Sequence, residues 1–358
     1  MTTALSAREQ LALVLAALAD PMVAAGLADG PPASGLLLRT ARHHRLTPLL
    51  SAERGDDLPA NLAEICRRDR VITTARNMIL MQVAEECLAA LAAAGVPAMV
   101  LKGLDYDVRL YRGPGSRPTS DVDLLVPNQA RRTAFRALDR LGFEPRPAAP
   151  GFDDADYHEV AWTRSGVEVD LHMGLAPFAR CRIDYQAIWR EAVPLRIGGV
   201  STSALAPSHA AIFHALHMAI DHFAVPAIYL VDMSRLVPAT TDQPAAQALA
   251  AAWRCRRPLT TALALTGAFI SGWPAGGSPP SVAARRVVAA YGTTDSIPRS
   301  EQLLRKVLHF DAVGDALRYA LVQSRRNVRE AAERRVRRRS ARERLGLAGV
   351  IERPYGRR

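Results

Sequence analysis

At 358 residues the chain is long enough for two or three compact units, each burying its own core without covalent staples. Its four cysteines, Cys66, Cys87, Cys181 and Cys255, form no Cys-x-x-Cys pair and lack histidines at zinc or haem spacing, so they read as buried thiols in a reducing compartment. The net charge of +11 is concentrated: thirteen arginines and four glutamates between Arg325 and Arg358 give +9, which leaves residues 1–324 at +2 and excludes a basic surface spread over the whole body.

In chain order, residues 1–95 read as a helical region. It begins at the capping box Ser6-x-x-Glu9, and residues 1–19 lack the basic start and cleavage site of a signal peptide. A long helix is expected over 59–94, because Ile65, Val71, Ile72, Ile79, Leu80, Val83, Cys87, Leu88 and Leu91 recur at helical spacing and Gly95 supplies a left-handed stop. The period then changes. Residues 98–101 and 121–126 read as short buried strands with a short helix and a loop between them, and 128–141 returns to a helix ended by Gly142. Two alternating runs, 157–164 and 167–173, are joined by Ser165-Gly166 as a two-residue hairpin turn, and Gly198-Gly199 joins a second pair, 193–197 and 200–202. Beyond Pro207 helices are expected near 208–223, 226–237, 243–255, 258–271, 280–292 and from 300, with a Gly/Pro loop at 272–280. The organisation is therefore α+β: a helical region 1–95, a mixed-sheet core 96–205, a helical domain 206–324 and a basic arginine-rich tail 325–358. No apolar run reaches membrane-spanning length, so a cytoplasmic protein with no membrane span is expected.

The chemistry gathers around Leu101-Lys102-Gly103 and, 17 residues after the glycine, Ser120-Asp121-Val122-Asp123. On a strand Asp121 and Asp123 share a face, where two carboxylates can share divalent ions while Val122 enters the core. Phosphoryl transfer uses two such ions about 4 Å apart, and hard oxygen ligands suit Mg2+ or Mn2+. Gly103 would let the backbone approach a triphosphate, and Lys102 and Arg117 are the candidates to neutralise it. The hairpin register offers the third carboxylate. It places Val160, Trp162, Val169 and Leu171 on one face and Glu168, Asp170 and His172 on the other, with Asp170 opposite Ala161 and Glu159 opposite His172. Asp170 is the expected third ligand and Glu168 its rival. His172 serves catalysis or pairs with Glu159. His214, His217 and Asp221 at i, i+3 and i+7 imitate a zinc site, but packing roles, or a substrate-facing role for His217, are the preferred alternatives.

Lys-Gly, then Arg-x-x-Ser-Asp-Val-Asp-Leu-Leu-Val, then Val-Asp-Leu-His resembles the bacterial uncharacterised nucleotidyltransferase family of the DNA polymerase beta superfamily, over roughly residues 36–240. The resemblance extends to a helix bearing His217 and His222 that leads to Asp232. It implies a small mixed sheet with the carboxylates at its edge, flanked by helical regions, and transfer of an NMP from an NTP to an acceptor hydroxyl or amine. The family's usual Gly-Ser is here Gly103-Leu104, which leaves Ser120 or Arg117 to take over the serine's phosphate contact. A small molecule or peptide is the expected acceptor, given the near-neutral body. Transfer RNA held through the basic tail, or a non-catalytic nucleotide-binding role, are the alternatives.

Overall fold

The computed structural model describes residues 5–28, 31–111, 115–146, 158–176, 181–237, 242–270, 280–292 and 310–317, with single positions 302, 305 and 321. The loop expected at 272–280 and the arginine-rich tail therefore lie almost entirely or entirely outside the described residues, as does most of the helix expected from 300.

The N-terminal helices are α1 (Ala7–Ala19), α2 (Pro21–Ala25), α3 (Pro31–His43), α4 (Thr47–Arg54) and α5 (Ala60–Ala93). The capping box forms as expected: the Ser6 hydroxyl accepts from the Glu9 N–H while the Glu9 carboxylate accepts from the Ser6 N–H. Helix α5 ends at Gly95, whose φ of +69° lets the Val96 N–H reach back 2.9 Å to the Leu91 carbonyl. One part of the helical pattern is corrected. Val71, Ile72 and Ile79 are more than half exposed, and the buried face of this segment instead passes through Cys66, Asn77, Leu80 and Ala84.

A seven-stranded mixed sheet follows, with β1 (Met99–Val100), β2 (Val122–Leu125), β3 (Glu144–Pro145), β4 (Glu159–Arg164), β5 (Val167–His172), β6 (Val193–Ile197) and β7 (Val200–Ala204) in the spatial order β3-β4-β5-β2-β1-β7-β6. Helix α6 (Lys102–Leu110) connects β1 to β2, α7 (Arg131–Arg140) follows β2, and α8 (Tyr185–Arg190) precedes β6. Both hairpins take their expected register, Arg164 facing Val167 and Ile197 facing Val200. Ser165 and Gly166 both adopt positive φ, the conformation a tight turn needs to match strand twist. Neighbouring β2 and β5 are parallel, with Val122 beside Val169 and Asp123 beside Asp170.

Side-chain alternation then divides the sheet's two faces. Val122, Leu124, Val169 and Leu171 enter a core shared with Leu80, Ala84 and Leu88 of α5 and Ala134 and Leu138 of α7. Leu125 on the opposite face joins a larger core with the C-terminal helices α9 (Pro207–Ile220), α10 (Ile228–Leu236), α11 (Asp242–Ala252), α12 (Arg256–Phe269) and α13 (Val282–Ala290). That same core contains Leu11, Leu37 and Leu49 of α1, α3 and α4, so the two helical regions, far apart in sequence, pack as one body. Arg8 ties them directly, donating 2.6 Å to the Val288 carbonyl. Among the described residues no helix is long and apolar enough to cross a membrane. Cys66, Cys87 and Cys255 are buried as expected, and burial pushes the Cys66 and Cys87 thiols up to about 12; Cys181 is only partly buried.

Candidate active site

Because β2 and β5 are in register, Asp123 and Asp170 lie side by side on the sheet face opposite the α5 core, and Asp121 joins them from the residue before the strand. One carboxylate oxygen from each of the three lies within 4.8 Å of the others. Among the described residues no other group of three histidines, cysteines or carboxylates can hold a metal. Glu168, the rival ligand, bonds Arg146 at 2.8 Å and is not in the group. Small Ala161 stands opposite Asp170 in the observed register, as the hairpin pattern implies.

Asp123 is 2% exposed and shows most clearly what the site can hold. Its Oδ1 accepts from the Lys102 ammonium at 2.8 Å and meets His172 Nε2 at 3.0 Å, whereas its Oδ2 is buried with no hydrogen-bond partner among the described residues. A buried carboxylate oxygen left unsatisfied is costly unless a cation completes it. Three carboxylates converging from two adjacent strands and the residue before one of them fit a hard divalent ion such as Mg2+ or Mn2+. Burial alone would raise the Asp123 carboxyl, but Lys102 and His172 outweigh it and hold the group well below the usual range. Lys102 is itself 8% exposed; burial opposes its charge, yet Asp123 and Asp121 reverse the effect and keep it an ammonium. It is thus not a surface charge but a buried counter-charge turned onto the carboxylates. His172 Nδ1 lies 3.4 Å from Glu159, within ion-pair range though without hydrogen-bond geometry. The expected Glu159–His172 pairing and a contact with the carboxylates thus coexist.

Asp170 behaves oppositely. Burial, reinforced by the negative charge of Asp123, pushes its carboxyl up to about 7. A metal must displace that proton, so divalent-ion affinity is expected to fall as pH drops below about 7, approaching tenfold per pH unit, and to level off above it. Calorimetric titration with Mn2+ at pH 6 and pH 8 checks this, and a flat profile would contradict the role of Asp170 as a ligand.

Gly103 interrupts α6 at φ +31° and ψ −99°, a conformation side chains rarely adopt. A Cβ there would also lie 2.8 Å from Thr119 Cγ2, so glycine is required by the fold itself. Leu104, standing where the resemblance implies a serine, is buried in the sheet–α5 core. Ser120 stays at the mouth, its Oγ 3.0 Å from Asp121 Oδ1.

Arg117 is corrected. Instead of facing a triphosphate it is buried against Asp232, donating from Nη2 at 2.8 Å and from Nε at 3.1 and 3.2 Å, while the Tyr111 hydroxyl donates to the same carboxylate at 2.6 Å. Asn77 on α5 donates to the Arg117 carbonyl and to Asp107, both at 2.9 Å. Asp232 and Asn77 thus fasten the segment entering β2 to α10 and α5. Asn77 was missed from the sequence, although a polar residue in phase with Leu80, Ala84 and Leu91 was its signal.

The histidines of α9 do not converge on a metal. His214 bonds the Tyr229 carbonyl at 2.9 Å, and His217 stacks on the Tyr229 ring with centroids 5.7 Å apart. Burial, with the nearby charge of Lys102, pushes His217 well below its ordinary range and keeps it neutral. His222 lies beyond the end of α9 in a left-handed turn rather than on the helix. Tyr229, which the sequence did not single out, organises this wall.

Residues 33–271 match the family described as uncharacterised nucleotidyltransferase. The chain belongs to that family. This nucleotidyltransferase matches no curated protein. Two solved structures overlap its fold. The antibiotic-resistance factor ANT(2'')-Ia in solution is 14% identical, with 49% of this chain and 91% of that chain covered at a TM-score of 0.35. An antigenic nucleotidyltransferase-like protein from Paracoccidioides brasiliensis is 17% identical, with 52% and 90% covered at a TM-score of 0.30.

Proposed function

We propose that this nucleotidyltransferase moves an NMP from an NTP to an acceptor hydroxyl or amine with a divalent ion, Mg2+ or Mn2+, held by Asp121, Asp123 and Asp170. The observation that carries this is the three-carboxylate group with its unsatisfied, buried Asp123 Oδ2. Such an ion, when bound, would neutralise the charge that develops on the phosphoryl oxygens. The chain's own part is positioning. Lys102 and His172 orient Asp123, the Gly103 backbone offers close approach without a side chain, and Ser120 steadies Asp121 at the mouth. As the acceptor atom bonds to the α-phosphorus, the bond to the bridging oxygen breaks. Pyrophosphate leaves with the electron pair, and the acceptor proton passes to a site carboxylate.

The test uses NTPs labelled at the α-phosphate and follows pyrophosphate release with and without Mg2+. Asp170→Asn is expected to lower metal-dependent turnover by a factor on the order of 10³, several kcal/mol of lost charge stabilisation, while Glu168→Gln stays within about twofold. Silencing by the glutamate change alone would reverse the assignment.

A further inference from the structure

Outside the carboxylate group, a cleft of about 440 Å³ lies between the turn after α3, the middle of α5 and the segment Pro118–Ser120. It begins beside the candidate active site. Ser120 lines it, and the Ser120 hydroxyl bonds Asp121 Oδ1, while Asp121 Oδ2 faces Lys102 at 3.9 Å. Ser120 thus belongs both to the cleft's lining and, through Asp121, to the edge of the carboxylate group.

Its charge is lopsided. Among the described residues, Arg42, Arg45 and Arg76 line it against a single carboxylate, Asp69. Both oxygens of that carboxylate already accept from one edge of Arg42, from Nε at 2.8 Å and Nη2 at 2.9 Å. Arg76 is steadied in turn by donating 3.1 Å to the Ser120 carbonyl. Two of the three guanidiniums are thus held in place before any ligand arrives, which reduces the ordering cost of binding. Arg45 is different: its backbone N–H donates 3.0 Å to the Arg42 carbonyl, but its guanidinium makes no hydrogen bond or ion pair among the described residues. Helix α3 closes with the Leu46 N–H reaching the Ala41 carbonyl at 2.8 Å, and the residue at the left-handed position of that closure, φ +59°, is Arg45. Glycine is the residue that takes this conformation without strain. An arginine here carries a backbone cost that glycine would not, and its guanidinium lines the cleft. Ile72, 58% exposed on α5, adds an apolar wall.

We propose that this cleft is the acceptor subsite, and that the acceptor carries an oxyanion, a phosphate or a carboxylate, on an apolar body that lies against Ile72. The proposal rests on the nucleotidyl-transfer reading above and adds the acceptor's chemical class to it. Guanidinium groups match both oxyanions in fork geometry, so the two sources share one recognition chemistry.

The test uses the full chain loaded with Mn2+ and a non-hydrolysable NTP analogue, titrated separately with phenyl phosphate and with benzoate. One or both probes are expected to bind alongside the nucleotide, and whichever binds more tightly names the anion. Arg45→Gly should weaken that binding at least tenfold while holding or raising the thermal midpoint, because glycine relieves the positive φ. Ile72→Ser should weaken phenyl phosphate more than inorganic phosphate. Competition between the probes and the nucleotide analogue would assign the cleft to the nucleotide instead, and binding indifferent to Arg45→Gly would remove the subsite while leaving the transfer reading intact. Nucleotide–metal binding that survives Asp121→Asn unchanged would overturn the transfer reading itself, and the acceptor assignment with it.

Discussion

Asp121→Asn and Asp123→Asn are both expected to abolish transfer, by a factor on the order of 10³ or more, and to differ sharply in stability. Each removes one negative charge from the proposed metal site at nearly constant volume. Asp121 is partly exposed and its partners are loose, with Lys102 at 3.9 Å and Ser120 at 3.0 Å, so its amide should leave the thermal midpoint within a degree or two of wild type. Asp123 is the counter-charge of a buried ammonium and also meets His172, so its amide leaves Lys102 poorly compensated in a low-dielectric site. Breaking a buried pair from one side costs about 3 kcal/mol or more. Unfolding and pyrophosphate release measured on the same samples check both halves. An active Asp121→Asn enzyme would end the metal-site assignment, and an Asp123→Asn protein as stable as wild type would show that Lys102 does not depend on its partner.

Asp232→Ala is expected to be the most destabilising of the substitutions considered. It removes the carboxylate that neutralises Arg117, whose side chain is 5% exposed, and strips the Tyr111 hydroxyl of its acceptor. An uncompensated buried guanidinium costs about 3–5 kcal/mol. Transfer should fall as well, because Arg117 lies four residues before Asp121 and anchors the chain entering β2. Replacing both partners together, Arg117→Met with Asp232→Leu, should recover much of the stability, since an apolar pair leaves no orphaned charge. Denaturant titration of the single and double variants reads this directly. A loss below about 1 kcal/mol in Asp232→Ala would mean that the pair is solvated and does not hold the segment.

The sequence alone determined the features that depend on near neighbours. Ser165-Gly166 could close only a tight turn, so period-two alternation on each side of it set the hairpin register, including Ala161 opposite Asp170 and Glu159 opposite His172. Alternation likewise put Asp121 and Asp123 on one face, and Gly95 ended α5 because glycine takes positive φ without strain. Only the tertiary structure decided what depends on residues distant in the chain. The parallel pairing that sets Asp123 beside Asp170, 47 positions apart, follows from how the strands pack and leaves no local pattern. Arg117 read as a phosphate ligand because an arginine near two aspartates carries the same signal in either role, and its commitment to Asp232, 115 residues away, is fixed by the docking of α10. The apolar spacing of α5 marked a helix, yet could not show which of its apolar residues would find a partner. Val71, Ile72 and Ile79 stay more than half exposed, because the sheet and α7 cover a different face.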